Sequence, residues 1–152
     1  MRRDLSQDVP AIVWPDGIAL TTYRAELAPA VHRLMELGYR EGGGRVPTLD
    51  LWQQQFESDP EYDPALCLIA SDAEGIVGVA QCWTSAYLKN LVVHPGFQGR
   101  GLGRALLLKV FKVFQERHEG CVDLKVLEDN LRAQRLYESA GMYVVRREPV
   151  PD

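Results

Sequence analysis

Leu91-Val92-Val93-His94-Pro95-Gly96-Phe97-Gln98-Gly99-Arg100-Gly101-Leu102-Gly103-Arg104-Ala105-Leu106-Leu107 is the stretch of this 152-residue chain that decides its fold. Leu91-Val92-Val93 is an apolar run that reads as the end of a strand. His94-Pro95-Gly96 breaks it, and Gln98-Gly99-Arg100-Gly101-Leu102-Gly103 leads into a helix. A strand, a glycine turn and a helix N-terminus in succession form an anion cradle. Unpaired backbone N–H groups and the positive end of the helix dipole converge where missing Cβ atoms let a ligand approach the main chain. Such a cradle suits a phosphate or pyrophosphate. The glycines at 99, 101 and 103 are misplaced for the dinucleotide fingerprint G-x-G-x-x-G, whose third glycine comes one residue later. That fingerprint also belongs early in a doubly wound sheet, whereas this run lies two-thirds along the chain. A Walker phosphate loop needs Gly-Lys-Ser/Thr, which is absent. On glycine spacing alone, a tight turn remains the plain alternative.

The segments on either side give the architecture. Residues 18–23 read as a strand, residues 29–37 as a short helix broken by Gly38 and Gly42-Gly43-Gly44, and residues 48–56 as a second helix with Leu49, Trp52 and Phe56 on one stripe. Residues 65–70 and 76–83 form a hairpin about Asp72-Ala73-Glu74-Gly75, and residues 87–93 follow as a third strand. A long helix spans about residues 101–117, with Leu102, Leu106, Leu107, Val110, Phe111, Val113 and Phe114 on its apolar face. Residues 121–127 read as a strand, residues 130–140 as a helix capped by Asn130 or Asp129, and residues 142–147 as a last strand. This order predicts a single domain over residues 1–152, of the α/β (α+β) class, with a mixed sheet and helices on its faces. The strand–helix–strand unit of residues 88–126 should be a right-handed crossover with parallel strands.

Composition narrows the function classes. A hydrophobic content of 46% and a charged content of 25% are ordinary for a soluble globular protein. A net charge of −4 argues against a sequence-independent nucleic-acid binder. The apolar runs are too short to span a bilayer, and no apolar signal segment follows Met1-Arg2-Arg3-Asp4. Cys67, Cys82 and Cys121 are widely spaced in strand-like runs and read as buried structural thiols, without metal or disulfide. A cytoplasmic location is the expectation.

The quoted stretch closely resembles the acetyl-CoA segment of the GCN5-related N-acetyltransferases, whose signature Q/R-x-x-G-x-G/A is matched by Gln98, Gly101 and Gly103. Downstream, Asn130-Leu131-Arg132-Ala133-Gln134-Arg135-Leu136-Tyr137-Glu138-Ser139-Ala140-Gly141-Met142 resembles the second conserved segment of that family. The two segments are in the family's order and spacing, and the coarse topology agrees over about residues 18–148. The resemblance implies a mostly antiparallel sheet with a central splayed parallel strand pair. It implies acetyl-CoA as cosubstrate, with its pyrophosphate held by the backbone N–H groups of Gln98, Gly99, Arg100, Gly101, Leu102, Gly103 and Arg104. Arg100 or Arg104 is a candidate phosphate partner, and a solvated surface arginine is the equal alternative for each. Pantetheine then lies in the splay along the main chain of Leu91, Val92 and Val93, and Asn130 contacts the cofactor or merely caps its helix.

Tyr137 is the implied catalytic residue, through proton donation or a hydrogen bond to the departing thiolate. Reference pKa values of about 10 for tyrosine and about 8.5 for a cysteine-like thiol make the hydrogen bond the easier role. A lysine-like amine, with a pKa of about 10.4, needs a base or a water relay near neutrality. The family often carries a glutamate on the strand before the cradle, but Tyr87-Leu88-Lys89-Asn90 has no carboxylate. Glu36, Glu41 and Asp63 are weaker candidates, and His32 and His94 read as packing or surface histidines.

The resemblance makes residues 36–64 the wall of an acceptor pocket, where Asp59, Glu61 and Asp63 are positioned to attract a cationic amine. The family's further C-terminal strand has no counterpart after residue 147. The sheet edge is then open, or covered by residues 11–14 or by a partner, for which a homodimer is the expectation. The predicted function is acetyl transfer to a primary amine of a small molecule, without nucleic-acid or membrane partners. Its rivals are a noncatalytic acetyl-CoA-binding module and an acyltransferase that uses another acyl-CoA or a protein N-terminus.

Overall fold

The computed structural model describes residues 1–42 and 45–150, and these contain one sheet of six strands. The strands are β1 (Arg2–Asp4), β2 (Ala19–Thr22), β3 (Cys67–Ser71), β4 (Ile76–Trp83), β5 (Tyr87–Val93) and β6 (Cys121–Leu124). Their order is β1-β6-β5-β4-β3-β2, with β5 and β6 the one parallel pair and the other neighbours antiparallel. The expected mixed sheet with a central parallel pair is therefore present.

Strand alternation builds a core on each face. Along β3, Leu68 and Ala70 point to one side, and Cys67 and Ile69 to the other. The first side receives helix α3 (Leu102–Glu116) through Leu102, Leu106, Leu107, Val110, Phe111 and Phe114. The second receives α1 (Ala28–Gly42) and α2 (Leu49–Ser58) through Val31, Leu34, Met35, Trp52 and Phe56. A fourth helix, α4 (Leu131–Ser139), follows β6. Cys67 and Cys82 are buried, and burial pushes the Cys67 thiol up to about 12, so it stays protonated and inert. Cys121 is half-buried. No helix among the described residues is long and apolar enough to cross a membrane.

Several expectations are corrected. Gly38 does not stop α1 but lies within it, where a Cβ would come 2.5 Å from Cγ1 of Val92. The missing side chain lets α1 approach β5. Of the glycines expected to follow as breakers, Gly43 and Gly44 lie outside the described residues. Residues 142–147 are not a strand, and Tyr143 makes a single bridge to Arg2. The edge of β6, which ends at Leu124 rather than 127, is taken by β1 in the register Arg2↔Asp123, Arg3↔Val122 and Asp4↔Cys121. Residues 11–14 form no strand. β1 thus closes the edge of β6 from within the chain.

Side chains fasten β1. Arg2 Nε lies 2.8 Å from Oδ1 of Asp123. Arg3 is buried, donates to the carbonyls of Ala140 (3.1 Å) and Asp8 (3.0 Å), and lies over the ring of Phe111. The carbonyls and the ring compensate the desolvation of the guanidinium.

Candidate functional site

β5 and β6 separate almost as soon as they meet. Their ladder holds only Tyr87↔Asp123 and Leu88↔Leu124, whereas β5 stays paired with β4 as far as Val93. The His94 N–H donates to the Val77 carbonyl at 2.8 Å, on the β4 side. Alternation along the strand turns the main-chain groups of Val92 the same way and those of Leu91 and Val93 toward the gap. The gap therefore has a strand edge whose N–H and C=O groups face no neighbouring strand.

The glycine loop closes one end of this gap. After the turn Pro95–Phe97, in which His94 Nδ1 accepts the Gly96 N–H at 3.0 Å, the chain places Gly99 at φ +79° and Gly101 at φ +85°. These left-handed conformations favour glycine, and a Cβ at either position would stand in open space. α3 begins at Leu102 with no side-chain cap, and the Ala105 N–H is bonded to the Gly101 carbonyl at 3.0 Å. Among the described residues, no backbone N–H of residues 98–104 donates to a protein acceptor. A run of free donors at a helix N-terminus is the arrangement that binds phosphate. Phe97 is buried and anchors the loop, with the Arg100 guanidinium 4.6 Å above its ring.

α4 packs beside the loop and is tied to it. The Asn130 Oδ1 accepts the Ala133 N–H at 3.2 Å and so caps α4. Arg132 donates to Oε1 of Gln98 at 3.1 Å, and Arg104 donates to both the carbonyl and the hydroxyl of Ser139 at 3.0 Å. Gln98 and Arg104 thus position α4 with their side chains, leaving their backbone N–H groups to the cradle. Tyr137 is half-buried against the α3-side core, and its hydroxyl makes no hydrogen bond among the described residues. Burial pushes its pKa above the usual tyrosine range, so it keeps its proton.

On the opposite face of β5, a cavity of about 670 Å³ opens between α1, α2, β4 and β5. Trp52, Phe56 and Trp83 form its aromatic wall. A hydrogen-bond chain crosses it, in which the Tyr39 hydroxyl donates to Oδ1 of Asn90 and the Asn90 amide donates to Oε1 of buried Gln81 at 2.7 Å. Burial raises the pKa of Tyr39 and keeps this chain neutral. Among the described residues, the charged ones lining the cavity are Arg45, Lys89 and Asp59. The Lys89 ammonium sits 5.0 Å above the Trp83 ring.

The expected acceptor-side acids are differently employed. Asp63 caps the turn at Ala65 (2.9 Å) and pairs with Arg117 (3.0 Å), while Glu61 accepts the Ser85 N–H (3.0 Å). Glu36 lies 3.2 Å from His32 Nδ1, and His32 Nε2 lies 2.7 Å from the Pro47 carbonyl. The side chain of Glu41 lies outside the described residues. None of Glu36, Glu61, Asp63, His32 and His94 lines the cavity; Asp59 does.

The structure thus brings Leu91, Val93, residues 98–104, Asn130 and Tyr137 to one region. On the other side of β5 it adds Gln81, Lys89 and Asn90, which were not read as a site, and it picks out Tyr39 and Arg45 within the stretch 36–64 expected to wall an acceptor pocket. The signal for Tyr39 was its place four residues after Met35 on the α1 stripe, hidden once Gly38 is taken as a stop.

Comparison with known proteins agrees with this geometry. The sequence model of the acetyltransferase (GNAT) family matches residues 29–142. A mycothiol acetyltransferase of Thermobispora bispora is 33% identical over 156 aligned positions, covering 93% of this chain and 52% of the relative. One from Kineococcus radiotolerans is 42% identical over 89 positions, covering 55% of this chain and 28% of the relative. The crystal structure of a GCN5-related N-acetyltransferase from Sphaerobacter thermophilus superposes with a TM-score of 0.81 at 31% identity, covering 93% of this chain and 46% of that one. The chain spans about half the length, or less, of these relatives.

Proposed function

The chain belongs to the acetyltransferase (GNAT) family, and from that premise we propose that it transfers the acetyl group of acetyl-CoA to a primary amine of a small molecule. The observation that carries this reading is the run of free backbone N–H groups at residues 98–104, set at the mouth of the β5–β6 gap. A pyrophosphate fits such a cradle, and an amide-bearing arm fits a gap edged by the main chain of Leu91 and Val93. Val92 contributes to the same stretch by anchoring it to β4 and α1. Asn130 holds the start of α4 beside the loop.

Acetyl-CoA supplies an activated thioester, and the remaining work falls to the chain. Tyr137, protonated and with its hydroxyl unengaged, donates a hydrogen bond to the sulfur as the carbon–sulfur bond breaks. A backbone N–H of the β5 edge stabilises negative charge on the carbonyl oxygen, an interaction worth on the order of 3–4 kcal/mol where such donors have been removed. The amine must arrive neutral to attack. The aromatic wall disfavours its charged form by desolvation, and Arg45 and Lys89 disfavour it by like charge. The proton shed by the incoming ammonium leaves to water, and the thiol takes up the other.

Asn90, standing on β5 where a carboxylate would serve as base, favours a second reading, a module that binds acetyl-CoA without turnover. Calorimetric titration with acetyl-CoA, followed by thiol release across an amine panel that includes mycothiol-related amines, separates the two. Binding with turnover is expected. Binding without turnover across the panel selects the module, and absence of binding overturns both.

A further inference from the structure

We propose that the acceptor amine also carries a carboxylate, recognised by Arg45 and Lys89 in the cavity between α1, α2, β4 and β5. The proposal rests on the acetyl-transfer reading for its chemistry, but not for the binding event itself. The cavity, at about 670 Å³, is of the size that holds a small molecule. Its charge is the unexpected part. Among the described residues two cations and one carboxylate line it, and Asp59 already accepts the Glu61 N–H at 2.8 Å. The neighbouring acids that would make the region attractive to a polycation are turned to Ser85 and Arg117.

Neither Arg45 nor Lys89 forms an ion pair among the described residues. Lys89 is nevertheless held in place, because the Trp83 ring lies beneath its ammonium at 5.0 Å. Of the neutral polar groups in the lining, Tyr39, Asn90 and Gln81 are already bonded to one another, and the Ser58 hydroxyl donates to the Gln54 carbonyl. A carboxylate can therefore find charge-assisted donors here, whereas a second ammonium would meet like charge. The aromatic wall of Trp52, Phe56 and Trp83 is left for the apolar body of the acceptor. The same positive potential that draws in the carboxylate also lowers the pKa of the amine that must react.

The test measures binding without cofactor, by the fluorescence of Trp52 and Trp83 in a Trp14→Phe background. The probes are L-leucine, L-phenylalanine and L-methionine, each beside its α-carboxamide, together with spermidine and O-phosphoethanolamine. At least one acid should bind about tenfold or more tightly than its amide, the scale of one charge-assisted contact. Arg45→Gln and Lys89→Gln should each remove most of that preference, with the affinity of the amide and the melting temperature unchanged. The proposal is overturned if no acid binds, or if the amides or spermidine bind as well. It is equally overturned if O-phosphoethanolamine alone responds, or if both substitutions leave the acid-to-amide ratio intact. Acetyl-CoA titration of the same samples keeps the two readings apart, since carboxylate binding without acetyl-CoA binding sinks acetyl transfer alone.

Discussion

The glycine loop between β5 and α3 offers a ligand its main chain, and the cavity under α1 and α2 offers side chains. The loop is one continuous segment, residues 98–104, whose donors are peptide N–H groups aligned by two left-handed glycines. The cavity draws on stretches as distant as Met35, Arg45, Asp59, Gln81 and Asn90. β5 is the wall between them, with Leu91 and Val93 turned to the gap and Asn90 to the cavity. A part made of backbone tolerates changes of side chain but not of conformation, and a part made of side chains behaves the other way round. Acetyl-CoA affinity and acceptor choice should therefore be separable by mutation.

The largest effect expected is from Gly101→Val. A β-branched residue at φ +85° is strained by about 1–2 kcal/mol and shifts several donors at once, each charge-assisted bond being worth about 1.5–3 kcal/mol. Titration should show acetyl-CoA affinity reduced by about a hundredfold or more, with acceptor binding retained. Loss of both together would break the division between loop and cavity. Tyr137→Phe should lower kcat by about a hundredfold, the lower range for a general acid, and leave acetyl-CoA affinity within about twofold. An unchanged kcat under chemistry-limited conditions removes Tyr137 from the mechanism.

Gly38→Ala tests the shared wall. The added methyl would meet Val92 at 2.5 Å, so α1 or β5 must move, at about 1–3 kcal/mol of stability. For a chain of this size, the melting temperature should fall by about 2–4 °C per kcal/mol. Both the gap and the cavity should be disturbed, seen as weaker binding of both ligands. The smallest effect is one of pH. With Asp59 the one cavity-lining base among the described residues, kcat/KM should rise by about one log unit per pH unit until it levels at a pKa that follows the acceptor amine. Tyr137, held protonated by burial, should impose no loss of activity up to about pH 10, its ordinary pKa. A plateau at one pH for every acceptor would instead identify a base on the protein.

The same division explains what could be read in advance. Gln98, Gly101 and Gly103 act through local conformation, so their spacing was enough, and Asn130 caps its own helix. The cavity depends on tertiary contacts, and no local pattern brings Tyr39 to Asn90, 51 positions away. β1 was invisible for a related reason. Arg2-Arg3-Asp4 has no strand-like alternation and is held by a ladder to residues about 120 positions distant. Residues 142–147 include the β-branched pair Val144-Val145 and read as a strand, but the edge of β6 is filled by β1. Gly38 misled because a glycine that stops a helix and one that admits a neighbouring strand look alike in one dimension.

The parting of β5 and β6 also has a bearing on how the protein survives heat. An edge strand exposed within a sheet is an invitation to foreign strands, and here the invitation lies in the middle of the molecule. If the acyl donor's arm lies along Leu91 and Val93, it acts as a removable seventh strand that finishes the sheet. At about 100 times its dissociation constant, such a ligand adds about 2.7 kcal/mol to the folded state. Melting temperature and resistance to aggregation then become a gauge of how much acyl donor is present, read by the very groups that position it for reaction.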